Sequence, residues 1–332
     1  MPTHTREIHL VARPAGLPSD DDFRVVDVEL PDPGPGEILV RNSVLSVDPY
    51  MRGRMNDVRS YVPPFPLGAP LEGGAVGLVV TSEDPSVNAG DTVLHMAGWR
   101  EHAVLPAGAA RKVDVGLAPD SFYLGVLGMP AVTAYVGLTR IAEVREGDTV
   151  FVSGAAGAVG SIAGQLARKL GAAKVIGSAG SPEKVAWLIE ELGYDAAFDY
   201  HEGPPATLLR PHGPIDVYFD NVGGDHLEAA IFHMADFGRI AACGAIADYN
   251  ATAPAPGPRN LSMVVTKRLS LRGFIVSDHS GAAADYFRVA GPWVRNGEIR
   301  HRETVVDGLD RMVEAFRSLF SGDNTGKMLV RT

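Results

Sequence analysis

The chain has 332 residues, of which 45% are apolar and 21% charged, and a formal net charge of −10. That length exceeds one ordinary core and suits two domains, while the acidic balance argues against nucleic-acid binding as the main role. A single cysteine, Cys243, excludes a scaffold stapled by internal disulfides.

The first residues include His4, Arg6, Glu7 and His9, with no charged stretch leading into an apolar block, so the pattern reads as cytosolic rather than secreted. Up to about residue 128, short β-branched runs alternate with Pro and Gly. Strands are expected at Phe23 to Leu30, Glu37 to Val47, Gly74 to Thr81 and Asp91 to His95. Ser121 to Thr139 carries no charge, but Gly125, Gly128, Pro130 and Gly137 interrupt it. It is expected to form a buried turn and helix start, with no membrane span.

From Asp148 the rhythm becomes strand, helix, strand. Thr149 to Val152 reads as a strand, and Ala158 to Leu170 as a helix with an apolar face at Val159, Ile162, Ala163, Leu166 and Leu170. Gly171 closes that helix. Lys174 to Ser178 is the next strand, and Ser181-Pro182 opens another helix, with Ser as cap and Pro in the first turn. Ile215 to Phe219, Arg239 to Cys243 and Leu271 to Val276 are expected as further strands of a parallel sheet covered on both faces. The tail from about Glu298 to Val330 holds a strand, a helix and a last strand.

The sharpest local pattern is Gly154, Gly157 and Gly160, directly after a strand and at the mouth of a helix. Residues without side chains let backbone amides approach a diphosphate, and the helix start adds free N–H groups and partial positive charge. A tight strand–helix turn with no ligand has the same composition, but the strand before and the apolar helix face after favour a dinucleotide. NAD binders place an acid about 20 residues on, at the next strand end. Here that place reads Gly177-Ser178-Ala179-Gly180-Ser181, with Lys184 one turn later and Glu183 beside it. Small residues, Ser181 and Lys184 suit a 2′-phosphate, so the expected coenzyme is NADPH. Lys184 also fits a solvated helix lysine.

Several segments carry a resemblance: Val47-Asp48-Pro49-Tyr50-Met51-Arg52, Tyr61-Val62-Pro63-Pro64-Phe65, Gly128-Met129-Pro130-Ala131-Val132-Thr133-Ala134-Tyr135, Gly157-Ala158-Val159-Gly160-Ser161, Asp220-Asn221-Val222-Gly223-Gly224, Cys243-Gly244-Ala245-Ile246 with Asp248-Tyr249-Asn250, and Asn324-Thr325-Gly326-Lys327. In this order, over nearly the whole chain, they resemble the zinc-free medium-chain dehydrogenases/reductases. The matching group is that of prostaglandin reductase (leukotriene B4 dehydrogenase), 2-alkenal reductase and curcumin reductase.

The resemblance implies an α/β protein with a β-rich, GroES-like catalytic domain (residues 1–127 and 298–332) and an inserted Rossmann domain with a doubly wound parallel sheet (128–297). It implies a homodimer acting on a small enal or enone, with no nucleic-acid or membrane partner. Where zinc-dependent relatives carry a Gly-His-Glu segment this chain reads Pro70-Leu71-Glu72-Gly73-Gly74, so no catalytic zinc is expected, although scattered histidines such as His95 and His102 leave the point open.

Without a metal, the expected reaction is hydride addition from NADPH to the β-carbon of an α,β-unsaturated carbonyl compound, followed by protonation of the α-carbon. The resemblance assigns Tyr249 as the catalytic residue, donating a hydrogen bond or proton; a loop tyrosine packed on the coenzyme reads the same. Tyr50 and Tyr61 are assigned to the substrate pocket or to ordinary aromatic packing. Met129, Thr133, Gly154, Gly157, Ala158, Val159, Gly160, Ser181, Lys184, Tyr200, Asn221, Cys243, Gly244, Ala245, Ile246, Tyr249 and Asn324 are assigned to the coenzyme. So are Phe274, Ile275 and Val276, which a buried central strand would explain equally. Tyr200 also fits a surface tyrosine, and Asn221 and Asn324 fit turn residues. Cys243 reads as a buried small residue without nucleophilic duty. The Pro-rich stretch 252–259 is expected to edge the substrate site. A quinone reductase of the same fold, a non-catalytic NADPH sensor and a reductive domain of a polyketide-type assembly are the competing readings.

Overall fold

Val150, Phe151 and Val152 are wholly buried, as a strand covered on both faces must be. This strand, β1 (Thr149–Val152), is followed by β2 (Lys174–Ala179), β3 (Ala196–Asp199), β4 (Ile215–Asp220), β5 (Met234–Ala242) and β6 (Ser270–Gly273). All six run parallel, in the order β3-β2-β1-β4-β5-β6. The order reverses between β1 and β4, and ligands of such sheets bind beyond the carboxyl ends of the strands at that switch.

The computed structural model describes residues 3–332 and divides into two units: residues up to Gly125 together with Glu303–Thr332, and Val126–Arg302, which holds the parallel sheet. In the second unit, the helix after β1 runs Gly160–Lys169 and buries Ile162, Ala163, Leu166 and Ala167. It starts two residues later than the sequence pattern suggests, because Gly154 to Val159 are taken up by the turn. Gly171, at φ +103°, closes it. Ser181 caps the helix Pro182–Glu190 by accepting a bond from the Lys184 amide at 3.3 Å. The core joins Phe151, Ile176, Tyr218, Ile231 and Ile240, with Tyr218 stacked on Phe151 at 5.0 Å.

One expected strand is corrected. Leu271 to Val276 reads as a single apolar run, but β6 stops at Gly273 and all four of its residues are exposed. It is the edge of the sheet. Phe274, Ile275 and Val276 lie beyond it, half-buried, entering a short turn at Val276–Asp278. The charge-free run forms a 3-10 turn (Asp120–Leu124), a helix (Met129–Val136) and a π-turn (Gly137–Ile141). Among the described residues no helix is long and apolar enough to cross a membrane.

Among the described residues the first unit holds two sheets. Thr3–Leu10 pairs antiparallel with Phe23–Leu30 and with Ala69–Pro70. A larger sheet runs Glu303–Asp307, Lys327–Arg331, Glu37–Ser46, Ala75–Ser82, Thr92–His95 and Arg111–Lys112, with His102–Pro106 also on Glu37–Ser46. The chain's tail belongs here because Met312, Phe316 and Leu319, one face of the helix Met312–Ser321, complete a core with Ile8, Leu45, Met51 and Trp99.

Each unit buries one neutral histidine. His95 accepts a bond from the Ala97 amide at Nδ1, so the proton sits on Nε2, which is buried with no partner among the described residues. His226 also buries an unpartnered Nε2. Desolvation, with Arg100 adding at His95, lowers both to about 4. A folded value below the unfolded 6.5 means that protons favour the unfolded chain. Stability is therefore whole above pH 6.5 and falls as pH drops toward 4, by up to about 3 kcal/mol per histidine. Thermal melts at pH 7.5, 6.5 and 5.5 should show this decline, shallower in His226→Leu. Equal slopes would remove the cause.

Candidate functional site

The carboxyl end of β1 turns at Ser153 and Gly154, the latter at φ +57°. A Cβ on Gly160 would stand 2.4 Å from the Gly154 carbonyl oxygen and 2.7 Å from Ala155 Cα, so the helix start lies directly on the turn. Ser161 donates to the Gly157 carbonyl, and Ile162 and Ala163 donate to that of Val159. The amides of Val159 and Gly160 precede this internal bonding, at the positive end of the helix. Backbone brought so close, with no Cβ to stand over it, fits a diphosphate. Gly157 and Ala158 lie half-exposed in the same turn.

Beside it, the end of β4 is organised by a residue that the sequence reading passed over. Asp220 is buried, and its Oδ1 accepts from the Val222 amide at 3.0 Å, the Gly223 amide at 2.8 Å, Tyr218 Oη at 2.7 Å and Ser153 Oγ at 3.2 Å. Burial holds its carboxyl above the ordinary value despite these donors. Its carbonyl accepts the Cys243 and Gly244 amides. Asn221 joins this corner: its amide donates to Ser153 Oγ at 3.0 Å and its Nδ2 to the Ser153 carbonyl at 2.8 Å. Asn221 thus faces the glycine turn with its amide group partly committed to holding β1 and β4 together. The signal was an Asp opening an Asn-Val-Gly-Gly turn, since Asp and Asn side chains bond to backbone just ahead.

After β5, Cys243, Gly244, Ala245 and Ile246 run along the same corner. The Ile246 amide donates to the Asn221 carbonyl at 3.3 Å. Burial, with Asp220 nearby, pushes the Cys243 thiol up to about 12, so it stays protonated and is no nucleophile. The Tyr249 ring folds back over this stretch. Its Oη accepts the Ala245 amide at 3.4 Å, and a Cβ on Gly244 would stand 3.3 Å from that oxygen and 3.3 Å from the Asn221 carbonyl. A phenol whose oxygen already accepts a bond is a better donor through its O–H.

At the ends of β2 and β3, the Tyr200 hydroxyl would stand 2.6 Å from a Cβ on Gly180, and the Tyr200 amide bonds to the Ala179 carbonyl. Ser181 and Lys184 open the adjacent helix, and the Glu183 carboxylate is held below its usual value by its own backbone amide first and by the Ser181 hydroxyl second. Met129, exposed, and Thr133 lie on the helix Met129–Val136. The Thr133 hydroxyl donates back to the Met129 carbonyl at 2.8 Å. That helix packs on the turn after Ile275, and a Cβ on Gly137 would stand 3.0 Å from Phe274 Cζ. The second unit therefore gathers the glycine turn, Asn221, residues 243–246 and Tyr249 at one strand-end corner. Ser181, Lys184 and Tyr200 sit at the next strand ends.

Tyr50, Tyr61 and Asn324 belong to the first unit. Tyr50 and Tyr61 line a small recess with Arg54, Val58, Val62 and Pro64. Arg54 stacks on the Phe65 ring at 4.0 Å and pairs with Glu72 at 2.8 Å. Burial, with Asp48 adding, raises the Tyr50 phenol well above its ordinary value, so it stays protonated at neutral pH. Asn324 donates to the Gly326 carbonyl at 2.9 Å within its own turn. Among the described residues no group of three or more His, Cys, Asp or Glu could hold a metal ion.

A doubly wound parallel sheet with a glycine-lined turn at its switch point defines the dinucleotide-binding class of α/β protein. Residues 6–113 match a family described as N-terminal domain of oxidoreductase, and residues 158–291 match one described as zinc-binding dehydrogenase. The chain is 39% identical to the NADPH-dependent curcumin reductase of Escherichia coli, covering 97% of this chain and 95% of that protein. It is 41% identical to the 2-alkenal reductase (NADP(+)-dependent) of Nicotiana tabacum, covering 95% of this chain and 94% of that protein. The crystal structure of CurA from Vibrio vulnificus in complex with NADPH superposes with a TM-score of 0.92 at 37% identity, covering 98% of this chain and 99% of that one. The chain belongs to the medium-chain dehydrogenase/reductase family, in the group of the curcumin, 2-alkenal and prostaglandin reductases.

Proposed function

We propose that this protein is an NADPH-dependent reductase of the C=C bond in α,β-unsaturated aldehydes and ketones. The observation that carries the reading is the turn in which Gly160 packs on Gly154, at the switch point of the sheet. The names of its relatives support the substrate class.

When bound, NADPH supplies a hydride to the β-carbon. The chain's own residues do the rest. The Val159 and Gly160 amides hold the diphosphate. Ser181, Lys184 and Tyr200 surround a 2′-phosphate where an NAD enzyme would carry an acid; Ser181 turns its hydroxyl from Glu183 toward the anion. Asn221, residues 243–246, Phe274 to Val276, Met129 and Thr133 border the nicotinamide side in the parallel-sheet unit; Asn324, in the other unit, is assigned to the nicotinamide by the resemblance. The Tyr249 O–H donates to the substrate carbonyl oxygen, stabilises the enolate charge that develops there and provides a route for the proton. Tyr50 and Tyr61 hold the substrate.

NADPH oxidation should proceed with 2-alkenals and enones of graded length, more slowly with a small quinone, and more slowly again with NADH. A quinone preferred over every enone would move the protein to the rival activity. Tyr249→Phe should lower kcat about a hundredfold, within the usual range for general acid catalysis, and leave the NADP+ dissociation constant within a factor of two or so; unchanged turnover removes the role. Gly180→Asp drives its Cβ onto the Tyr200 hydroxyl. It should weaken NADP+ by about tenfold or more without gaining NAD+, as read by calorimetry. A gain in NAD+ from this single change would mean that Tyr200 is no obstacle.

We also propose a cytosolic homodimer. The lone cysteine fits a reducing compartment, and the exposed edge strand β6, with Leu271 outward, offers a surface for a second copy.

A further inference from the structure

Lys327 is fully buried, and its ammonium finds three acceptors: the Val47 carbonyl at 2.7 Å, Asp48 Oδ1 at 3.0 Å and the Met328 carbonyl at 3.0 Å. Asp48 is buried too, and its other oxygen accepts from Ser46 Oγ. Every proton of the ammonium is used. The pair thus meets the condition for an ion pair to be kept inside a protein, although a pair of that kind adds little net stability over apolar residues of the same shape. Its partners show what it fixes instead. Asp48 begins the turn into the short helix Tyr50–Arg54: its carbonyl accepts the Met51 amide at 3.2 Å. Lys327 ends the turn that starts at Asn324.

We infer that Lys327 is a positioning residue for the reaction. Its ammonium ties the segment before Tyr50 to the segment after Asn324, so that Tyr50 and Asn324, two of the site-lining residues of this unit, keep one fixed spacing. The inference rests on the reading above of Tyr50 and Asn324 as substrate-side and nicotinamide-side residues. Thr304 steadies the same tail turn, exchanging bonds of 3.0 Å with Thr325, but it does not reach the Tyr50 segment. Strand pairing also brings the two segments together, through Ser46 opposite Leu329 and the Val47 amide on the Met328 carbonyl at 3.3 Å, and the ion pair carries that joint one residue further toward the site on each side, to Asp48 and Lys327.

Lys327→Met alone leaves the Asp48 charge buried and is prone to unfold. The informative variant is Lys327→Met/Asp48→Asn, neutral and close to isosteric, in which the Asn oxygen still accepts from Ser46. Three readouts are taken on the full chain. Melting temperature should stay near that of the wild type. Amide exchange in residues 47–55 and 322–328 should quicken, with the parallel-sheet unit unchanged. The enone KM should rise about tenfold or more, with kcat falling less, because positioning errors at a site cost rate and affinity far beyond their size. A variant that melts like the wild type and shows unchanged exchange in both segments overturns the inference, whatever the activity. Absence of enone turnover in the wild type would instead overturn the proposed function, and the exchange result would still decide the clamp.

Discussion

Gly160→Ala raises the NADP+ dissociation constant about a hundredfold, equivalent to about 2.7 kcal/mol. The reason is geometric. The added Cβ would sit 2.4 Å from the Gly154 carbonyl oxygen and 2.7 Å from Ala155 Cα, and backbone cannot swing aside as a side-chain tip can. Either the helix start lifts off the turn or the turn opens. Both move the Val159 and Gly160 amides away from the diphosphate they are proposed to hold. Gly157→Ala is the control. Its Cβ would meet the Gly154 oxygen at 3.3 Å, a contact that a small shift relieves, and its effect should be several-fold only. Calorimetric titration of both variants with NADP+ checks the pair. Equal losses would show that the cost comes from residue type and has no connection with the Gly160 contact.

Asp220→Ala lowers the melting midpoint by roughly 10 °C, as about 4 kcal/mol would in a unit of this size. One oxygen of this carboxylate serves two backbone amides and two hydroxyls. Removing it strands the Val222 and Gly223 amides and the Ser153 hydroxyl in a corner with little access to water, while Tyr218 keeps Ser153 Oγ as an acceptor at 2.9 Å, and each buried unsatisfied group costs about 1–3 kcal/mol before relaxation. Asp220→Asn keeps an oxygen at the same place and should lose less than half as much. Because Asn221 and residues 243–244 hang on the same corner, Asp220→Ala should also weaken NADP+ binding, whereas Asp220→Asn should nearly preserve it. Differential scanning calorimetry with and without NADP+ reads both effects. Comparable losses for Ala and Asn would show that the oxygen is not what matters.

Much of the second unit was readable in the sequence because its signals are local. Thr149 to Val152 is apolar throughout because both faces are covered, and Ser181-Pro182 marks a helix start by cap and ring geometry alone. The glycine turn was legible for the same reason: what it needs is the lack of side chains at fixed spacing. The run Leu271 to Val276 misled because apolar character does not tell a strand from the turn after it. Gly273 ends the pairing, and Phe274 finds its contact against Gly137 instead.

The site's supports were less legible because they join distant segments. Asp220 draws a donor from Ser153, just after β1, at a separation of 67 residues, and Lys327 meets Asp48 across 279. A lysine beside apolar residues in a last strand looks like an edge residue until the strand is seen to lie inside the sheet. Tyr200 stood out only as a resemblance. Its closeness to Gly180 needed the parallel pairing of β2 and β3 to appear.

The most direct test of the account is calorimetric titration of the purified protein with NADP+ and NAD+ side by side, repeated on Gly160→Ala. Binding of NADP+ at one site per chain, about tenfold or more tighter than NAD+ and largely lost in the variant, is the predicted result. No heat with NADP+, or a variant that binds as the wild type does, would contradict the claim that this turn holds the coenzyme.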